Sequence, residues 1–269
     1  MIITKLIGGM GNQLFQYAVG RRLAHHHGVL LKIDITAFRE YKLRSYHLNP
    51  LNIIESVATD EEIDDLKNRH WIRERHFHFD PEILQLGSDV YLDGYWQSEK
   101  YFKDIEGIIR NEFIVREPVN GENERHLNQI QSCNAVAIHI RRGDYVTNPS
   151  ANQYHGVCSL EYYYQAVALI AERVGNPHFF IFSDEWDWVR ENFHINYPVT
   201  IINNNANWPE QDLRLMSACR HHIIANSSFS WWGAWLGTHP DRIVIAPQKW
   251  FNTPEHCTQD LLPEYWLKI

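Results

Sequence analysis

The feature that most restricts the fold of this chain is the alternation of short apolar runs with helical stretches through its second half. Residues 135–140, 178–182, 199–202, 223–225 and 242–245 read as strands, and residues 124–131, 161–174, 209–221 and 228–237 as helices. Asn207 or Trp208 stands at the N-cap of the helix over 209–221, with Pro209 at the first helical position, where its missing N–H is no loss. Alternation of this kind predicts a doubly wound α/β domain with a parallel sheet and right-handed crossovers. Ligands of such sheets bind just beyond the carboxyl ends of the strands. The unusual residues of this chain fall there.

The N-terminal part opens in the same way. Residues 2–7 read as a strand, 8–11 as a tight turn and 12–27 as a helix, with Leu14, Phe15, Ala18, Val19 and Leu23 at a spacing near 3.6; residues 29–33 form a second strand. Residues 36–90 are polar and irregular apart from a helical stretch near 59–68. A strand at 90–92 leads into Asp93-Gly-Tyr-Trp-Gln97, and 103–113 is helical again. The stretch from Pro118 to Asn123, with Gly121, has linker composition and divides a domain of residues 1–120 from one of residues 121–269.

Composition excludes several classes of partner. A formal net charge of -8 argues against nucleic acid, though a small anionic ligand needs only a local positive site. Cys133, Cys158, Cys219 and Cys257 are widely spaced and form no CxxC pair, and no cationic and apolar leader precedes the first strand. They read as reduced structural thiols of a cytoplasmic protein. No apolar run approaches the ~20 residues of a membrane span, so no transmembrane segment is expected; peripheral attachment to the inner face of a membrane is compatible with this. The runs His25-His26-His27 and His221-His222 put neighbouring rings in different directions and accompany no HExxH, so they read as solvated or packing groups. No Asp-x-Asp triplet occurs. The expectation is no metal and no cofactor.

Four strand ends carry chemistry. The first, Ala135-Val-Ala-Ile-His-Ile-Arg-Arg-Gly-Asp-Tyr145, ends in Arg141 and Arg142, whose planar forks match phosphate oxygens in pairs. Gly143 allows a sharp turn, and Asp144 can orient a guanidinium or act as a base; an ordinary surface ion pair is equally compatible. The second, Ile223-Ile-Ala-Asn-Ser-Ser-Phe-Ser-Trp-Trp-Gly-Ala-Trp235, runs into a helix whose N-terminus offers free N–H groups and partial positive charge to an anion. Capping alone accounts for one of its serines but hardly for all of them. Trp231, Trp232 and Trp235 read as packing groups. The third, Ile7-Gly-Gly-Met-Gly-Asn-Gln-Leu-Phe-Gln16, fails the G-x-G-x-x-G spacing of dinucleotide binders, and no ATP-type phosphate loop is present. Its glycines would let a ligand approach, with Asn12 and Gln13 as amide partners. The fourth, Phe180-Ile-Phe-Ser-Asp-Glu185, presents a carboxylate suited to the two parallel donors of guanine, or to capping the next helix.

Taken together, GGMGNQLFQYA at 8–18, HIRRGDY at 139–145, FSDE at 182–185 and NSSFSWWGAWL at 226–236 resemble the α-1,2-fucosyltransferases of glycosyltransferase family 11, bacterial members most closely. DGYWQSEKYF at 93–102, DLRLM at 212–216 and Trp250-Phe251 agree, so the resemblance spans nearly the whole chain. It implies a GT-B-like α/β fold of two Rossmann-like domains with the donor site in the cleft, the N-terminal, acceptor-side domain being reduced. It also implies an inverting, metal-independent transfer of L-fucose from GDP-β-L-fucose to the 2-OH of a terminal galactose in a β-galactoside glycan.

Carried onto this sequence, the resemblance makes Arg141 the phosphate clamp and His139 a nucleoside contact. Asp184 reads guanine, Arg142 is a further donor-binding candidate, and Asn226, Ser227, Ser228, Phe229 and Ser230 line the helix start that holds phosphate. Gly11, Asn12 and Gln13 face the donor from the other domain, and Tyr95, Trp96 and Gln97 are the acceptor-side candidates. Asp144 is a base, or else only the partner of Arg142. Bacterial kinship points to cell-surface polysaccharide, O-antigen included, as the acceptor. A fucosyltransferase of another linkage, of the protein O-fucosyltransferase kind, and a silent sugar-nucleotide-binding module remain the alternatives.

Overall fold

The computed structural model describes residues 1–40, 43–253 and 257–269, in two compact units. The first comprises residues 1–116 and 257–263; the second, residues 117–253 and Glu264–Ile269.

In the first unit β1 (Ile2–Lys5) leads to α1 (Met10–His27), β2 (Leu31–Asp34), α2 (Asp60–His70), β3 (Trp71–Arg73), β4 (Val90–Asp93) and α3 (Glu106–Glu112). The strands form one parallel sheet in the order β2-β1-β4-β3. Ile2 and Ile3 are buried, as befits a central parallel strand covered on both faces. Helix α1 begins at Met10 rather than 12, so Gly11 lies in its first turn and not in a preceding loop. Its last turn carries His25, His26 and His27, and Gly28 closes it in the left-handed conformation (φ 61°) with its amide bonded to the Ala24 and His25 carbonyls. Thr59 and Glu62 form a reciprocal capping box at the start of α2. The edge strand β3 falls in the stretch that reads as irregular, because three residues are too few to show a period.

The second unit runs α4 (Gly121–Gln131), β5 (Asn134–Ile140), α5 (Gly143–Thr147), α6 (Pro149–His155), α7 (Leu160–Arg173), β6 (Pro177–Ser183), α8 (Trp186–Asn192), β7 (Val199–Ile202), α9 (Pro209–Ala218), β8 (His221–Ile223), α10 (Ser228–Leu236), β9 (Val244–Ala246) and β10 (Leu267–Lys268). Its sheet has the order β10-β9-β8-β5-β6-β7, with every pair parallel. Strand β5 separates two apolar layers. Val136, Ile138 and Ile140 pack with Tyr163, Ile170, Phe179 and Ile181 on one face; Ala135 and Ala137 pack with Phe180, Phe182, Leu215 and Met216 on the other. Trp231, Trp232 and Trp235 of α10 are buried, Trp231 lying 5.5 Å from Trp266 between ring centroids.

Two expectations are corrected here. The helix over 209–221 stops at Ala218, because His221 and His222 are needed to pair β8 with β5. Both imidazoles are buried; His221 Nδ1 accepts the Ile243 amide and His222 Nε2 meets the Met216 carbonyl. Burial pushes them down to about 4 and about 3, so they pack as neutral rings. Helices α5, α6 and α8 are absent from the sequence reading, being only five to seven residues long. Among the described residues, no helix is long and apolar enough to cross a membrane.

Candidate active site

The strand order of the second unit reverses at β5: the chain proceeds outward through β6 and β7, then returns to place β8 on the other side. Carboxyl ends at such a switch point form the ligand crevice of doubly wound sheets. The registers say what meets there. Ile140 pairs with Ser183, so Arg141 emerges beside Asp184; Ile138 pairs with Ile223, so Arg141 also emerges level with Asn226.

Arg141 is largely buried and held by two carboxylates. One guanidinium nitrogen is 2.7 Å from Asp184 Oδ2, and another donates to Asp144 one turn ahead. Its guanidinium also stands 5.2 Å from the Tyr145 ring centroid. Burial works against its charge, but the carboxylates of Asp184 and Asp144 outweigh this and keep it protonated. Arg142 has a different environment: its Nε is 3.0 Å from Glu185 Oε2 and its guanidinium lies 3.6 Å over Trp188. The pairing of Asp144 with Arg142 is therefore corrected; Asp144 belongs to Arg141. Asp184 does not cap α8 and is already engaged by two donors. Its Oδ1 accepts the Arg142 amide at 2.9 Å while its Oδ2 holds Arg141. The cap of the following turn is Ser183, whose Oγ accepts the Glu185 amide.

Gly143 is what makes room for this arrangement. A Cβ built there would lie 2.4 Å from Asp184 Oδ2. Gly143→Ala suits the start of α5 by helix propensity, yet it must turn Asp184 away from Arg141 and the Arg142 amide. Hydrogen bonds to charged groups contribute roughly 1.5–3 kcal/mol to stability, so the melting temperature should fall by several degrees, and kcat/KM by about 10- to 100-fold with the loss of the brace. Steady-state rates and a thermal melt on the same sample check this; full activity would mean the brace has no role in turnover.

His139, on β5, is buried, with its ring 5.8 Å from Phe229 of α10 and Nδ1 lacking a partner. Burial pushes its pKa down to about 4, so it is a neutral ring at physiological pH. Ser227 caps α10 by accepting the Phe229 amide at 3.3 Å, and Ser228 and Phe229 are partly exposed at the helix start. Asn226 and Ser230 also make internal ties. The Asn226 amide nitrogen donates to the carbonyls of His155, Gly156 and Trp250, and the Ser230 hydroxyl to those of Ala225 and Ser227.

Within the first unit, Gln13 is likewise structural. It is fully buried, donates to the Gly8 and Ser45 carbonyls and accepts the His47 amide. Asn12 is partly exposed and accepts from Gln97 at 2.9 Å, so these two candidates do meet. Gly11 is buried in α1. Trp96 is 1% exposed with φ 55°, a left-handed conformation unusual for a tryptophan, and so is a core group rather than an open sugar platform. Tyr95 is exposed. The loop is held by Glu74, whose oxygens accept the Tyr95 and Trp96 amides at 2.7 and 2.9 Å.

Glu74, Glu185, Trp188 and Tyr163 were not singled out by the sequence. Tyr163 bonds the His139 carbonyl at 3.1 Å and so supports β5 just before the arginines. Only Glu185 carried a signal, as the last residue of the fourth strand-end motif.

Comparison with known proteins bears on family and fold. The family model "Glycosyl transferase family 11" matches residues 1–269. An alpha-1,2-colitosyltransferase of Escherichia coli is 34% identical, covering 100% of this chain and 99% of its own length. A galactoside alpha-(1,2)-fucosyltransferase 2 of Rattus norvegicus is 28% identical over 91% of this chain and 69% of its own. Among solved structures, the fucosyltransferase NodZ from Bradyrhizobium superposes with a TM-score of 0.51 at 14% identity, over 86% of this chain and 90% of its own, which supports a GT-B-like fold. The chain belongs to glycosyl transferase family 11.

Proposed function

We propose that this glycosyltransferase moves L-fucose from GDP-β-L-fucose to the 2-OH of a terminal galactose, with inversion and without a metal. The observation that carries the reading is Arg141, fixed at the switch point of the second unit beside the N-terminus of α10. Breaking the anomeric bond leaves positive charge on the sugar ring and negative charge on the departing nucleoside diphosphate. A pre-oriented guanidinium and the positive end of α10 meet that developing negative charge at no reorganisation cost. Neutral His139 and partly exposed Phe229 offer a ring contact to the nucleoside. The acceptor oxygen attacks from the opposite face, which gives the α-linkage. The galactoside alpha-(1,2)-fucosyltransferase of Rattus norvegicus supports this sugar and linkage. The resemblance to bacterial members favours a cell-surface polysaccharide as acceptor and the cytoplasm as the place of reaction.

A second reading, colitose in place of fucose with the same α-1,2 linkage, is supported by the 34% identity to the colitosyltransferase over nearly all of both chains.

The test is incubation with GDP-fucose and lactose, with and without EDTA, followed by linkage mapping of the product. The expected result is fucose on O2 of galactose at a rate that EDTA leaves unchanged. Loss of activity in EDTA would overturn the metal-free mechanism, and a product at another position would overturn the linkage. Transfer only from a GDP-colitose donor would establish the second reading, and no transfer from either would sink both.

A further inference from the structure

The two carboxylates on Arg141 are not equivalent. Asp184 is fixed from three sides: it accepts from the Arg142 amide at 2.9 Å, pairs with Arg141 at 2.7 Å, and fills the space that Gly143 leaves without a Cβ. Asp144 stands on the five-residue helix α5, is 41% exposed, and takes the other arm of the fork by an i,i+3 pairing. Water and salt reach this pair through Asp144 and screen it more than a fully buried one. Of the two carboxylates on Arg141, Asp144 is the more exposed, at 41% against 26%. Asp144 takes Nη2 of a guanidinium whose planar fork can match two phosphate oxygens.

We infer that Asp144 is a built-in stand-in for the donor's phosphate, which must leave Arg141 when the nucleoside diphosphate arrives. With both carboxylates in place, the centre carries a net negative charge that disfavours a further anion. Displacement of Asp144 exchanges one carboxylate charge for a diphosphate that makes bidentate contacts and gains the α10 amides as well. The pair keeps the guanidinium charged and aimed in the empty protein, so no reorientation is needed on binding. The affinity of the site for its diphosphate is correspondingly held down. This inference rests on the reading of the loop as the diphosphate seat.

The test is calorimetric titration of GDP into the whole protein and its Asp144→Asn and Asp144→Ala variants, each first checked by thermal melt. Both variants should bind GDP about three- to tenfold more tightly than the parent, from loss of the competing pair and of like-charge repulsion. In an Arg141→Ala background the same substitutions should lose most of that gain. Equal or weaker binding in both variants, or an undiminished gain without Arg141, would overturn the stand-in role. Absence of GDP binding by the parent protein would instead refute the diphosphate seat itself.

Discussion

Arg141→Lys is expected to lower kcat/KM by ~10²–10³-fold, the usual loss when one donor aimed at developing charge is removed. The charge is kept, so the effect isolates geometry. Arg141 reaches Asp184 with one guanidinium nitrogen and Asp144 with another, and a planar fork can hold a fixed carboxylate while presenting a second edge to phosphate. A lysine ammonium is a single point on a flexible stem. It can stay on Asp184 or follow the ligand, but it cannot orient two groups in one plane. The fold should survive, because the apolar layers around β5 do not include this side chain. Initial rates at saturating acceptor over a range of donor concentrations, beside a thermal melt, decide the matter; near-normal turnover would refute the clamp.

The second large effect concerns stability. Asp212, in the DLRLM segment of α9, lies inside the fold, where its Oδ1 accepts from Asn205 at 2.8 Å. Burial raises its pKa to about 7, the Asn205 bond opposes this, and the nearby Glu210 carboxylate adds to the rise. The folded state therefore holds this proton to higher pH than the unfolded state does. Below about pH 4 both states are protonated and Asp212 costs nothing. Between about 4 and 7 the unfolded chain releases the proton while the folded one retains it, so stability falls as pH rises and levels off above 7. Three pKa units at about 1.4 kcal/mol each set an upper limit of about 4 kcal/mol on that fall. Asp212→Asn keeps an acceptor for Asn205 and removes the ionisation, so it should stabilise the protein at pH 8 and make little difference at pH 4. Urea unfolding of both proteins at the two pH values checks this. A variant no more stable at pH 8 would show that the buried charge is already compensated.

What could be read from the sequence, and what could not, divides along a physical line. The ends of β5 and β6 and the start of α10 were legible because an apolar run that stops at Arg, Asp or Ser leaves a local mark, and the parallel-sheet rule then says which end matters. The partners of those residues were not. Asp184 reaches Arg141 through strand pairing, and nothing local distinguishes a carboxylate that waits for guanine from one that holds an arginine. The internal partners of Gln13, Asn226 and Ser230 were hidden for the same reason. A polar side chain at a turn looks alike whether it faces a ligand or satisfies buried carbonyls, as these do. Burial of backbone carbonyls demands such partners, and the demand is created by tertiary structure. Trp96 is a further case: its left-handed backbone depends on the Glu74 carboxylate, which the sequence places far away.

The contact between Gly143 and Asp184 also bears on how this loop can vary over time. Because the missing Cβ of one position is filled by the carboxylate of the other, neither can drift alone without loss. An alanine at 143 becomes tolerable only after position 184 has shortened or turned away, and a change at 184 opens a space that 143 can then enter. The two sites therefore form an epistatic pair in which the order of substitutions decides whether an intermediate is functional.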